Sequence, residues 1–163
     1  MARWGPDGVE ERFALAEELL AIAHESGDRE KELIGLAQRA TCLLQSGDGA
    51  AADMDISAHG RLAAELRMPY HQWAAATMRA GQSFVTGSLD QVEALAHGAL
   101  ERLPSRPNAR LAYLNQLSAL RWEQGRLGEL QGEWEELASR LPQLGFARAW
   151  LCLAAHQLGH DLT

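Results

Sequence analysis

The stretch "RWEQGRLGEL", residues 121–130, interrupts a helix-forming run with Gly125, and what a glycine does there decides how the chain folds. Inside a helix glycine costs about 1 kcal/mol relative to alanine. Just past a helix end it takes a positive φ without strain and lets the backbone reverse. The same kind of place holds Gly8 in "PDGVEERF", Gly47 in "LLQSGDGAAAD", Gly87 in "FVTGSLDQVEAL" and Gly159 in "HQLGHDL". The intervals of 39, 40, 38 and 34 residues read as an internal repeat.

The segments between these glycines break again at "SGD" 26–28, "RMP" 67–69, "LPSRPN" 103–108 and "LPQLG" 141–145, which gives two helices per repeat. They are rich in Ala, Leu, Glu, Gln and Arg and poor in β-branched residues, so no strand is expected. Asp28 is placed to cap the helix that starts "REKEL", and Ser88 with Gln91 has the S-x-x-Q form of a capping box. Pro69 and Pro107 suit the first turn of a helix.

Aligned on the glycines, the position seven before is small: Ala40, Ala80, Ser118, Cys152. Three before stand Leu44, Phe84, Trp122 and His156; five after, Phe13, Ala52, Val92 and Leu130; twelve after, Leu20, His59, Ala99 and Leu137. A small residue at a fixed place lets a second helix approach closely. The expected fold is therefore all-α, about eight helices in antiparallel hairpins forming one repeat domain over residues 1–163.

This register resembles the tetratricopeptide repeat, with its small residue before the turn glycine and a proline seventeen after it, here Pro104 and Pro142. Arg39, Arg79 and Arg121 depart from it, standing where that motif prefers large apolar groups. The resemblance implies a right-handed α-solenoid. The Leu/Ala/Arg-rich phrasing of "LSALRWEQGRLGEL" is also similar to the repeat arrays of large bacterial LuxR-type ATP-binding or cyclase-linked regulators, whose repeat regions would serve as sensor or partner-binding portions.

A formal charge of −7 argues against a phosphate backbone as the main ligand. Two cysteines, Cys42 and Cys152, supply neither a disulfide framework nor a thiolate zinc site. The opening "MARWGPDG" lacks the apolar core of a signal peptide and no run is long enough for a membrane span, so a cytoplasmic protein is expected.

If the first helices line a concave face, Leu44, Trp73, Thr77, Phe84, Asn115, Trp122 and His156 fall on it, an apolar groove with sparse polar groups. That suits a peptide or helix of a protein partner, or alternatively an apolar small-molecule effector lodged between repeats. Ordinary inter-repeat packing accounts for Leu44, Phe84 and Trp122 better than a groove does, since apolar residues at helical spacing usually mean core. Cys152, His156 and His160 share an i, i+4, i+8 spacing beside Asp161, but no second ligand cluster complements them, and no metal or cofactor is assigned. "SGDGAAAD" lacks the lysine of a phosphate loop, "DMDISAHGRLAA" lacks the final glutamate of a calcium loop, and the carboxylates fall on solvated helix faces, so no enzyme is read. Apolar faces at both ends of such a stack are expected to drive self-association. Light scattering over a concentration series should then show mass rising with concentration; a constant monomer mass would count against it.

Overall fold

The computed structural model describes residues 8–143 and 145–159. Among them are eight α-helices and no strand: α1 (Val9–Ser26), α2 (Arg29–Gln45), α3 (Gly49–Glu65), α4 (Pro69–Val85), α5 (Leu89–Arg102), α6 (Pro107–Glu123), α7 (Gln131–Arg140) and α8 (Gly145–Gln157). A short 3-10 turn, Leu127–Leu130, precedes α7. The chain divides into two compact units, residues 1–113 and 114–163, the boundary falling inside α6.

In the first unit each helix packs on the next, and α2 also touches α4, the contact order of stacked hairpins. Helices α2, α3 and α4 are each 17 residues long and are joined by three-residue turns, so the chain advances in 20-residue steps, two to each glycine interval. One turn geometry recurs. Residues 27, 47, 67 and 87 have φ of 67°, 81°, 54° and 76°. The next amide in each case donates to the carbonyl five residues back: Asp28 to Ala23 at 2.9 Å, Asp48 to Leu43 at 2.9 Å, Met68 to Ala63 at 2.9 Å and Ser88 to Ser83 at 2.8 Å. This is the longer bond of a Schellman ending, which satisfies a carbonyl the helix leaves open. Gly125, at φ 71°, does the same in the second unit, with Arg126 donating to Arg121 at 2.8 Å.

Two local expectations are corrected. Gly8 is not a reversal: it stands at the N-cap of α1 with φ −117°, and the left-handed residue of that repeat is Gly27. Ser88 makes no side-chain cap; Thr86 Oγ1 donates to its hydroxyl at 3.4 Å instead. Asp28 does cap, accepting from the Lys31 amide at 3.0 Å, and Asp48 accepts from the Ala51 amide at 3.0 Å. Such caps are worth about 1 kcal/mol each.

The small-residue register is the packing seam. Ala40 and Ala52 meet in one cluster with Ile56, all three without exposed surface. Gly35 serves the same purpose between α1 and α2, where a Cβ would fall 2.7 Å from the Leu20 side chain. Arg39, out of place in the repeat motif, forms a two-pronged ion pair with the buried Asp55 on α3, at 2.7 and 2.8 Å. In the second unit Trp134 is buried and donates from Nε1 to Ser118 Oγ at 2.8 Å. Gln157 bridges two backbones, accepting from the Leu127 amide at 2.9 Å and donating to the Trp122 carbonyl at 3.0 Å.

A Cβ added at Gly125 would meet no atom within 4 Å, so the glycine is required by its backbone angle alone. Gly125→Ala should lower the unfolding free energy by about 1–2 kcal/mol in urea denaturation. Gly98→Ala, equally open but inside α5, should raise it by roughly 0.5–1 kcal/mol.

Candidate binding cleft

The structure treats the predicted groove residues differently from one another. In the first unit Trp73 is buried and packs on Ala99 and Ala109, while Leu44 is half-buried against Ala40, Ala52 and Ile56. Both side chains contribute to core clusters. Thr77 and Phe84, on α4, are half-buried. In the second unit Asn115 Oδ1 accepts from Trp150 Nε1 at 2.8 Å, Trp122 is half-buried, and His156 is exposed on α8. Cys152 is exposed on the same helix, and His160 and Asp161, the other members of the drawn metal constellation, lie outside the described residues.

A concavity that the sequence reading did not anticipate lies in the first unit, an open cleft of about 490 Å³ walled by α3 and α4 and reaching the last turn of α5. Its floor is made of small residues: Gly60 and Ala64 from α3, Ala75 and Ala76 from α4. The two helices come close here, since a Cβ at Gly60 would sit 3.5 Å from that of Ala75. Arg61, Arg79 and Arg102 stand around this floor, and Ser57 and Gln72 add neutral polar groups. Arg79 Nη2 donates to Ser57 Oγ at 3.2 Å, and Gln72 Nε2 donates to the Ala63 carbonyl at 3.3 Å. On α4 the lining residues Gln72, Ala75, Ala76 and Arg79 centre roughly 130° around the helix from Trp73, Thr77 and Phe84, at about 100° per residue. The cleft is therefore on a different face from the stripe read as a groove.

The charge of this cleft is unusual in a chain of net charge −7. Surface arginines on helices commonly have an acid three or four residues away. Arg79 has Ala75, Ala76, Gln82 and Ser83 at those places, and Arg102 has Gly98 and Ala99 within its helix. Arg61 does have Glu65, but that carboxylate is taken by Arg29 at 2.7 Å. No carboxylate lines the cleft among the described residues.

Behind one wall lies a buried histidine. His59 on α3 has no exposed surface, and its Nε2 is 3.2 Å from Nδ1 of the half-buried His71 on α4, which stands edge-on to Tyr70. His59 Nδ1 has no hydrogen-bond partner among the described residues. Burial, reinforced by His71, lowers the His59 pKa to about 4, so the ring is neutral at pH 7. One proton shared between the two facing nitrogens satisfies the pair in that state.

Comparison with protein-family models, with curated proteins and with solved structures finds no match to this chain.

Protonating His59 costs more in the folded chain than in the unfolded one, where its pKa is near 6.5. Stability is therefore unaffected by this group above that pH, falls as pH drops from 6.5 toward about 4, and levels off below. The loss should be on the order of 3 kcal/mol, at about 1.4 kcal/mol per pKa unit. Urea denaturation across this range should show the slope, and His59→Leu should remove most of it; an unchanged slope would mean other groups dominate.

Proposed function

We propose that the chain is a non-catalytic protein–protein interaction module of helical-repeat type, and that a segment of a partner protein docks in the cleft between α3, α4 and α5. The observation supporting this is the gathering of three arginines around a floor of small side chains, with no carboxylate in the lining among the described residues. Like charges collected this way repel one another, and an occupant from outside would relieve that repulsion. The small floor leaves room for it without disturbing the core.

The likeness to repeat arrays of bacterial regulators extends the proposal: the module would be the sensor or assembly region of a cytoplasmic regulator. Leu44, Thr77 and Phe84, half-buried on first helices, would be a secondary contact surface. An apolar effector inserted at Trp73 is the weaker reading, because that ring already packs on Ala99 and Ala109, and the effector would have to displace formed core.

Panning a displayed library of random peptides against the folded chain tests the proposal, with Ala64→Trp as counter-target. Ala64 is an exposed residue of the cleft lining, so the indole should fill the cleft without opening the core. Selected peptides should lose at least ~10-fold in affinity on the variant, about 1.4 kcal/mol, while its Tm stays unchanged. Peptides that bind both proteins equally would remove the cleft from consideration.

A further inference from the structure

We infer that the occupant of the cleft is an acidic, extended protein segment whose carboxylates, four residues apart on one face, are received by Arg79 at one end and Arg102 at the other, with Arg61 between them. This rests on the reading of the cleft as a docking site and specifies the chemistry of what docks.

The spacing follows from how the hairpin is paired. Around the turn at Arg67, Ser57 faces Arg79 through a 3.2 Å hydrogen bond, Gly60 faces Ala75, and Ala63 faces Gln72 through a 3.3 Å hydrogen bond. Arg79 thus marks the Ser57 end of the cleft and Gln72 the other. Trp73 shares one packed cluster with Ala99, Leu100 and Leu103, which brings the last turn of α5, with Arg102, beside the Gln72 end. Seven residues of α4 separate the ends, about 10 Å at a rise of 1.5 Å per residue. An extended chain rises about 3.3 Å per residue and its side chains alternate faces, so the same-face positions nearest this distance are i and i+4, about 13 Å apart, a difference the exposed arginine side chains can span.

The guanidinium groups suit carboxylates geometrically, because the planar fork donates to both oxygens of one group. All three arginines are exposed, so they can turn to meet a ligand at little cost to the fold. Arg79 is engaged by a neutral hydroxyl, a partner a carboxylate readily replaces. Small floor residues admit an extended backbone, and the Ser57 hydroxyl and the Gln72 side-chain carbonyl are polar groups within its reach.

The test is fluorescence polarisation with the full chain and a labelled, unstructured peptide carrying glutamates at i and i+4, alongside the same peptide with glutamines. The acidic peptide should bind, the glutamine version should bind at least ~10-fold more weakly, and affinity should fall as ionic strength rises. Arg79→Gln with Arg102→Gln should abolish the preference while leaving the Tm unchanged, because neither residue is buried or ion-paired among the described residues. Arg110→Gln with Arg148→Gln, which removes the same charge outside the cleft, should change affinity by less than about twofold. Ala64→Glu should block binding from within, where Ala64→Gln should not. Equal loss in the two arginine pairs would mean general attraction and would overturn the inference, as would a single-stranded oligonucleotide binding more tightly than the peptide. If panning yields peptides that need the cleft but are not acidic, this inference fails and the docking proposal stands; if no peptide needs the cleft, both fail.

Discussion

The structure depends on how closely antiparallel helices can lie. Ala40, Ala52 and Ala80 have no exposed surface, and a Cβ at Gly35 would collide with the Leu20 side chain. Close packing without voids makes such positions sensitive to one added methylene. The same closeness shapes the cleft: where α3 and α4 meet at Gly60 and Ala75 their seam is flush with the floor, and the longer arginines rise around it. Core and binding surface are two sides of one spacing.

Polar groups on these interfaces are met by particular partners. Asp55 is answered by Arg39 through two hydrogen bonds, Trp134 by Ser118, and His59 by His71. A buried ion pair adds little net stability over an apolar substitute, but breaking it leaves an uncompensated charge. Arg39 and Asp55 therefore do more to hold α2 and α3 in one register than to strengthen their contact. The histidine pair is less complete, since one ring nitrogen of His59 remains without a partner among the described residues, and burial together with the neighbouring His71 makes the ring resist protonation as pH falls.

The fold was largely legible because its information is local. Gly47, Gly87 and Gly125 sit at left-handed turns, Asp28 caps, Pro69 and Pro107 open helices, and the residue seven before the glycine is buried in Ala40, Ala80 and Ser118. Cys152 occupies the same register on α8 and is exposed. Glycine content misled at Gly8, where the glycine begins a helix, because a residue type reports what backbone it permits and not what it adopts. The cleft was not legible in this way. Its walls combine residues distant in sequence, such as Arg61 and Arg102, and its charge is visible only once Glu65 is known to turn toward Arg29. A usable signal was present in Arg79, noted as a departure from the repeat motif, which has no acid three or four residues away in either direction.

The reversal between α3 and α4 is made by Arg67, with φ of 54°, where its counterparts are glycines. An L-residue with a side chain resists that backbone region by about 1–2 kcal/mol. It also has fewer conformations open to it before folding than glycine does, and so surrenders less chain entropy when the turn forms. The two effects oppose each other, which allows a charged, solvated side chain to occupy a hairpin bend without unfolding the pair of helices it joins.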